Sequence, residues 1–300
     1  MASIICGSLA FDTIMNFEGH FAQQILPEQL HILNVSFLVP SLRRDFGGCA
    51  GNIAYSLKLL GGEPLPMATI GMDGDTYLKR FAELDIRTDF VRTIPDAYTA
   101  QAMIITDMDN NQINGFHPGA MEQAWQTQIE TRDDIALGII APDGRDAMLQ
   151  HAEQFAKADI PFIFDPGQQL PRFDGAELRD FVEKAGWVAV NDYEGKMLCD
   201  RTGWDIAEVS RKVRGLIVTT GAQGCDVWIA GEKAHVPGIK ASKVVDPTGC
   251  GDAFRGALLF GLEQGWSLER CAQLGNHLGA RKIAEQGPQN YTIDKAAIGL

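Results

Sequence analysis

Runs of apolar residues with the length of a buried strand alternate with helical patterns along most of the chain. Ala50, Ile53, Ala54, Leu57 and Leu60 follow the i, i+3, i+4, i+7 and i+10 spacing of a helix, and a glycine pair ends this pattern. The pattern also predicts strands over 3–10, 64–71, 135–141, 160–165, 186–190 and 215–221, a hairpin over 225–236, and helices over 75–84, 145–158, 175–184, 192–200, 251–264 and 267–285. Buried strands that alternate with helices predict an α/β fold, in which helices cover both faces of a mostly parallel central sheet.

Two segments interrupt this alternation. The segment 98–116 contains a β-like stretch, a turn at 109–111 and a returning strand, whereas the segment 13–46 is mixed in composition. We therefore expect a small β lid built from two separated insertions. The predicted division is an α/β domain formed by 1–12, 47–94 and 119–300, and a discontinuous lid formed by 13–46 and 95–118.

The charge of the chain excludes some classes of partner. Its 300 residues include 26 Lys and Arg against 39 Asp and Glu, so the net charge is −13. Non-specific binding to nucleic acid or to an anionic membrane surface needs a basic patch, so the acidic net charge of this chain argues against both kinds of partner. The N-terminus does not resemble a signal peptide, no apolar run has the length of a membrane span, and the six cysteines form no CxxC pair. These features favour a cytoplasmic protein with reduced thiols.

The segment 246–254, which reads DPTGCGDAF, carries the strongest chemical signal. It follows a β-like stretch and opens an apolar helix. The backbone N–H groups of Gly249, Cys250 and Gly251, together with the helix N-terminus, would form an anion site for a phosphate in transfer. Asp252 would then accept the proton of an attacking hydroxyl. The alternative is a glycine turn in which Asp252 is only the helix N-cap.

A second glycine-rich segment precedes the helix at 50–60. Gly47 and Gly48 permit close backbone approach to a ligand, and Asn52 lies one turn into the helix, where it could bind ligand hydroxyls. Asp12, after the first predicted strand, is a candidate acceptor for a sugar diol. The alternatives are that Gly47 and Gly48 only form a turn before the helix, and that Asp12 only helps to form a loop. The sequence contains neither a GxGxxG fingerprint nor a GxxxxGK[ST] P-loop, which disfavours an NAD-dependent oxidoreductase.

Taken together and in order, these motifs resemble the two signatures of the ribokinase-like (PfkB) carbohydrate and nucleoside kinases, and the resemblance covers nearly the whole chain. It implies a three-layer αβα fold whose α/β domain binds the nucleotide and carries catalysis. It also implies ATP and Mg²⁺ as cofactors, with Glu194 placing Mg²⁺ through water, and it leaves open a K⁺ ion bordered by Asp246 and the segment after Glu285. The residues that the resemblance assigns to ATP binding are Asn191, Thr220, Gly221, Gly224 and Asn276.

Several positions depart from the family pattern, and the one at 165–168 bears on the acceptor. Cys250 stands where the family usually has alanine, Pro247 replaces a frequent threonine, and 165–168 reads DPGQ rather than the DPN of many sugar kinases. The segments 246–255 and 287–291 resemble the prokaryotic adenosine-kinase branch. The lid is also rich in apolar residues, at 37–39 and around Phe116 and Met121, which suits flat contact with a purine. Alternatively, these side chains form only the core of the lid.

The sequence thus predicts ATP-dependent phosphorylation of the 5′-hydroxyl of a purine nucleoside, adenosine to AMP. Asp12, Gly47, Gly48, Asn52 and Phe116 would bind the acceptor. A sugar kinase of the same fold is the alternative, and a nucleotide-binding regulator that has lost catalysis is the alternative from another class. The expected partners are a small-molecule acceptor, no nucleic acid and no membrane, and the resemblance leaves open a homodimer formed through the lid.

Overall fold

The computed structural model describes residues 1–25, 27–130 and 133–300. Leu26, within the first predicted lid segment, and Thr131 and Arg132, within the predicted α/β domain, lie outside the described residues. The strands are β1 Ala2–Cys6, β2 Ala10–Asn16, β3 Ser41–Gly47, β4 Glu63–Gly71, β5 Phe90–Ile94, β6 Ala100–Thr106, β7 Gln112–His117, β8 Ile135–Ile140, β9 Phe162–Phe164, β10 Trp187–Asn191, β11 Gly215–Thr219, β12 Gly224–Ile229 and β13 Glu232–Pro237. The helices are α1 Phe21–Gln24, α2 Cys49–Leu60, α3 Asp75–Glu83, α4 Arg145–Lys157, α5 Gly175–Lys184, α6 Asp192–Thr202, α7 Ile206–Lys212, α8 Cys250–Glu263 and α9 Leu268–Lys282.

The larger sheet has nine strands in the order β13-β12-β11-β10-β9-β8-β1-β4-β5. Its strands are parallel from β11 to β5, and the hairpin β12-β13 adds two antiparallel strands at one edge. The chain leaves β1 toward β4 and β5 on one side, and it later continues from β8 on the other side. The sheet therefore has a topological switch point between β1 and β8, where ligands bind in open α/β sheets.

Side chains of β1 show how the sheet divides the core. Ile5 packs in one buried cluster with Ile53 of α2 and Leu258 of α8. The neighbouring Ile4 lies in a second cluster, with Phe155 of α4 and other residues on the opposite face. Successive side chains of a strand point to opposite faces, so helices cover both faces of the sheet. The predicted three-layer fold is confirmed.

The predicted strand over 3–10 is wrong in its extent. β1 ends at Cys6, and the chain enters the second sheet at Ala10. The chain passes close to other backbone between them, because a Cβ on Gly7 would lie 3.2 Å from the Ala50 nitrogen. The apolar run continues through this bend, since Leu9 is buried as deeply as the strand residues. An apolar run by itself therefore does not show where one sheet ends and the next begins.

The second sheet has four strands in the order β3-β2-β6-β7. Its strands come from two separated segments, 10–47 and 100–117. The division into an α/β domain and a lid stays a prediction. The first predicted boundary, after residue 12, falls within β2. Phe37 packs against Phe17 and Phe21 in an aromatic cluster beside this sheet. Within the described residues, no helix is long and apolar enough to span a membrane.

Candidate active site

A cavity of about 890 Å³ lies at the carboxyl ends of the parallel strands. Five of its lining residues end, or closely follow, five neighbouring strands from β1 to β11, and they are Ser8, Pro142, Asp165, Asn191 and Thr219. The second sheet contributes Ala10, Asp12, Ala102 and Phe116 to the cavity wall. The cavity therefore lies at the switch point and between the two sheets.

Helix α2 begins at the cavity with an N-cap residue that has no side chain to cap it. Its N-cap is Gly48, which has a φ of +85°, and a Cβ there would lie 2.5 Å from the Ser8 carbonyl oxygen. The Cys49 N–H donates to the Ser8 hydroxyl at 3.1 Å. Gly51 is also confined, because a Cβ there would collide with the hydroxyl of Tyr77. This segment needs its glycines for close packing at the site.

Helix α8 begins in the same way. Its N-cap is Gly249 in the left-handed conformation, with a φ of +79°, and a Cβ there would lie 2.6 Å from Cβ of Pro288. Gly249, Gly251 and Asp252 line the cavity, whereas the Cys250 N–H donates to the Pro247 carbonyl. Burial raises the pKa of the Cys250 thiol to about 11, so the thiol is protonated. The alternative that Asp252 is the N-cap is wrong, since Gly249 holds that position.

The Asp252 carboxylate is held by the amide of Asn52. The Asn52 Nδ2 donates to Asp252 Oδ2 at 2.8 Å. The Asn52 Oδ1 accepts from Gln289 Nε2, which is also within hydrogen-bond distance of the Tyr77 hydroxyl, and that hydroxyl donates to the Gly47 carbonyl. This buried chain fixes which way the Asn52 amide faces. Sequence reasoning missed Tyr77, although the small Gly51 beside it was a signal that something occupies the space.

A buried ion pair lies beside Asp252. Arg255 donates from Nε and from its terminal nitrogen to both oxygens of Asp165, at 3.1 and 3.0 Å. Burial raises the pKa of Asp252 to about 6, with a further increase from Asp165, while the Asn52 hydrogen bond and the Arg255 charge lower it. The carboxylate is therefore ionised at neutral pH yet basic enough to accept a proton. Sequence reasoning did not assign Asp165 or Arg255 to the site.

Asp12 lies on β2, directly opposite Asp45 of β3. A Cβ on Gly47 would collide with the Asp12 carboxylate, so glycine there provides the space that this carboxylate occupies. Burial raises the pKa of Asp12 to about 6, and the carboxylates of Asp45, Asp252 and Asp246 raise it further, while Arg43 lowers it. Asp12 and Asp252 thus act on one another across the same cavity.

Strand register places Asp12 in a row with two other cavity residues. Asp12 pairs with Ala102 of β6, and Ala102 pairs with Phe116 of β7. Phe116 is 57% exposed and lines the cavity, as does Met121. Phe37 instead packs in the aromatic cluster. For this residue, the alternative that the apolar side chains form the core of the lid agrees with the structure.

The Asn191 and Glu194 side chains form a capping box on α6. Asn191 Oδ1 accepts from the Glu194 N–H at 2.7 Å, and Glu194 Oε2 accepts from the Asn191 N–H at 2.8 Å. Both residues also line the cavity, and burial raises the pKa of Glu194. The N-x-x-E spacing therefore has a local structural role, whatever it contributes to a ligand.

The other residues predicted for ATP binding are spread around the end of β11. Gly221 lines the cavity, and so does Thr219, whereas the Thr220 hydroxyl donates to the Gly224 carbonyl. Asn276 of α9 donates from Nδ2 to backbone carbonyls of β13, at 3.3 and 3.0 Å. The structure therefore brings Asn276 to the hairpin edge of the sheet. The ATP-binding roles of all these residues stay predictions.

The place predicted for a monovalent cation contains a lysine ammonium. Asp246 accepts through its carboxylate from the Thr248 and Gly287 N–H groups, both at 2.9 Å, and lies 3.5 Å from Arg43. The Asp246 carbonyl accepts from Lys282 Nζ at 2.7 Å, and the Glu285 carbonyl accepts from the same nitrogen at 3.3 Å. Lys282 was not among the residues that the sequence singled out.

Comparison with known proteins agrees with this arrangement. The pattern of the pfkB family carbohydrate kinases matches residues 16–296. A nucleoside kinase from Methanocaldococcus jannaschii is 30% identical over 292 residues, which are 96% of this chain and 93% of that protein. A ribokinase from Lactococcus lactis is 29% identical over 255 residues, which are 80% of this chain and 81% of that protein.

A solved structure is more similar still. The nucleoside kinase from Burkholderia thailandensis in complex with inosine is 51% identical, covers 99% of this chain and 95% of its own, and has a TM-score of 0.88. The same kinase has been solved in complex with ADP-inosine. The family match extends over most of the chain, and the fold and cavity agree with it. The chain therefore belongs to the pfkB family of carbohydrate kinases, and it is a phosphotransferase with an alcohol group as acceptor.

Proposed function

We propose that this kinase transfers the γ-phosphoryl group of ATP to the 5′-hydroxyl of a purine nucleoside, with adenosine as an acceptor. The similarity to nucleoside kinases, one of them in complex with inosine, supports this choice over a free sugar. The same similarity supports inosine as a second purine acceptor to be compared with adenosine.

The proposal rests on the row of cross-strand neighbours formed by Asp12, Ala102 and Phe116. These residues occupy adjacent strands, so Asp12 and Phe116 are separated by two strand spacings, or about 10 Å. A carboxylate at one end suits a ribose diol, the small Ala102 leaves space between, and the aromatic ring at the other end suits a flat base. A free sugar would occupy only the carboxylate end of this row.

In the proposed reaction, Asp252 acts as the general base. The 5′-oxygen forms a bond to the γ-phosphorus while the bond from phosphorus to the ADP oxygen breaks, and the leaving ADP keeps that electron pair. The hydroxyl proton goes to the Asp252 carboxylate. The free N–H groups at the start of α8, near Gly249 and Gly251, would stabilise the charge on the transferring group. Asn52 would hold Asp252 in the orientation that accepts the proton.

Mg²⁺ fits this site as a companion of the ATP phosphates. Among the described residues, no three His, Cys, Asp or Glu side chains are arranged to hold a metal by themselves. Mg²⁺ is usually held by one or two carboxylates, water and substrate phosphates, so a single carboxylate such as Glu194 suffices. When bound, the ion would neutralise phosphate charge. Thr220, Gly221, Gly224 and Asn276 are proposed to surround the ATP, and the homodimer that the resemblance leaves open would form through the second sheet.

An acceptor panel tests the proposal. Initial rates would be measured with ATP and with adenosine, inosine, guanosine, cytidine, ribose and fructose in turn. A purine nucleoside should show the highest kcat/KM. If ribose or fructose exceeds every nucleoside, the sugar-kinase alternative is correct. If no acceptor of the panel is phosphorylated although ATP binds, the purine-nucleoside proposal is wrong.

A matched pair of variants tests whether Phe116 contacts the base of the nucleoside. Phe116→Ala should raise KM for purine nucleosides and leave KM for ATP unchanged, because the ring would be lost only from the acceptor end. Ile113→Ala changes an exposed side chain of the same strand at an odd spacing from Phe116, which places it on the opposite face of the sheet. Equal effects of both variants would contradict the assignment of Phe116 to the base.

A further inference from the structure

A lysine ammonium is buried directly behind the anion-binding turn. Lys282 lies in the last turn of α9 and has no solvent-exposed surface. Its Nζ donates to the carbonyl of Asp246, which precedes the turn, and to the carbonyl of Glu285, in the segment after α9. Burying an ammonium costs free energy unless polar partners surround it, so this position calls for an explanation.

The same two segments are tied together by further bonds. The Val245 and Asp246 N–H groups both donate to the Ile283 carbonyl, and the Gly287 N–H donates to the Asp246 carboxylate. Lys282 stands at the centre of this junction. The start of α8, with Gly249 as its N-cap, follows Asp246 by three residues. The ammonium therefore helps to fix the path of the backbone that leads into the anion site.

The charge of Lys282 also acts on the turn itself. It lowers the pKa of the Cys250 thiol, which burial raises, so its field reaches the first residue of α8. Burial lowers the pKa of Lys282, while the carboxylates of Asp246 and Asp45 favour its charged form and Arg43 opposes it. A positive charge fixed behind the turn adds to the positive end of the α8 dipole in attracting phosphate.

This geometry does not fit the potassium ion that family resemblance leaves open at Asp246. K⁺ would take oxygen ligands such as backbone carbonyls. The Asp246 and Glu285 carbonyls on either side of that place already accept from the ammonium, and the two cations would repel one another at contact distance. We propose that the Lys282 ammonium is a built-in cation of the anion-binding turn and that phosphoryl transfer in this kinase needs no monovalent metal ion. The proposal rests on the phosphotransferase activity and not on the nature of the acceptor.

Cation dependence of the unmodified enzyme gives the first test. Rates would be measured with the best acceptor of the panel, in potassium chloride or in tetramethylammonium chloride at equal ionic strength. The rates should agree within about twofold, because an ion that does not bind cannot shift an equilibrium. Activation by K⁺ well beyond this range would overturn the proposal.

A binding measurement gives a test that does not depend on activity. Thallium(I), a probe for potassium sites, would be titrated into the enzyme and followed by ²⁰⁵Tl nuclear magnetic resonance. No saturable bound signal is expected in the unmodified protein. A saturable site that K⁺ displaces would contradict the proposal even if the acceptor panel gave no product, so this result and a failure of the proposed function can be told apart.

Removal of the ammonium should create a need for a cation. Lys282→Ala should lose kcat by about tenfold or more in tetramethylammonium, as expected when a preorganised electrostatic group is lost, and recover part of it with K⁺ or NH₄⁺. Lys282→Met, which fills the space without charge, should lose activity without recovery. Lys243→Ala removes an exposed lysine three residues before Asp246 and serves as the matched control, with unchanged rates. Undiminished kcat in folded Lys282→Met would overturn the proposal, as would a Lys282→Ala loss that no cation restores.

Discussion

The helices that begin at the cavity have two kinds of N-terminus. α2 and α8 start at glycine N-caps with positive φ, which supply no side-chain cap. At α2 the Ser8 hydroxyl and carbonyl accept from the Cys49 and Ala50 N–H groups instead, so only the start of α8 remains open. α6 starts at Asn191, whose side chain and that of Glu194 satisfy the backbone N–H groups reciprocally. The first N–H groups of a helix have no partner within it, so an uncapped start can bind an anion, whereas a capped start is already satisfied. We therefore expect substitutions at the open start of α8 to affect catalysis, and loss of the Asn191 cap at the start of α6 to affect mainly stability.

The largest effect is expected at Asp252, in the first turn of α8. Asp252→Asn preserves shape but cannot accept the proton, and loss of a general base typically costs about 10²–10⁴ in rate. Single-turnover kinetics should show a loss of at least a hundredfold, with ATP and acceptor binding retained.

The folded stability of this variant supplies the control. The folded pKa of Asp252, about 6, lies above the usual 3.8, so the free energy of unfolding falls as the pH rises from about 4 to 6, and the full cost of the ionised carboxylate is present above pH 6. The melting temperature of Asp252→Asn at pH 8 should therefore be no lower than that of the unmodified enzyme. Near-normal phosphoryl transfer in the folded variant would contradict the assignment of Asp252.

Asp12 should matter for acceptor affinity more than for the chemical step. Asp12→Ala would remove the charged hydrogen bonds that we propose to the ribose hydroxyls, and such bonds are worth about 1.5–3 kcal/mol, or roughly 10- to 150-fold in affinity. Calorimetry with the nucleoside would measure the loss, and ATP binding by the same variant is the internal control. Unchanged nucleoside affinity would remove Asp12 from the site.

Activity should fall as the pH drops through about 6. Burial and neighbouring carboxylates raise the pKa of both Asp252 and Asp12 to about 6. Protonation would abolish the base function that we propose for Asp252. The value of kcat/KM, which reports the pKa values of the free enzyme, should fall about tenfold per pH unit for each of these carboxylates that must be ionised, so it should fall more steeply where Asp12 is protonated too. The profile of Asp12→Ala should lose the steeper part, and a flat profile from pH 7 to 5 would contradict the role of Asp252.

The smallest effect is expected at the closed start of α6. Asn191→Ala removes the cap and should lower the free energy of unfolding by about 1 kcal/mol, while Asn191→Ser keeps the cap and the stability. Thermal denaturation would compare the three proteins, and KM for MgATP should stay close to that of the unmodified enzyme in Asn191→Ser, which keeps the cap and adds no charge to the cavity. A large rise in that KM would show that the Asn191 amide binds the nucleotide, and the contrast between open and closed helix starts would then fail at α6.

The sequence by itself determined the features that depend on neighbouring residues. The helical period over 50–60 predicted α2, and the glycines at 47–48 and 249–251 predicted two helix starts that permit close approach. Local periodicity and a positive φ are short-range properties, so a single sequence can express them. The order of the motifs also predicted the family, which the comparisons confirm.

Only the tertiary structure decided which of these groups act together. Asn52 binds Asp252 across 200 residues of chain, and Lys282 reaches back to the Asp246 carbonyl. The row from Asp12 to Phe116 exists because of the register between β2, β6 and β7. Register and long-range packing depend on how the whole sheet assembles, and one residue of slip would turn each of these side chains to the other face. For that reason the sequence could name Asp252 as a candidate base but could not show what holds it in place.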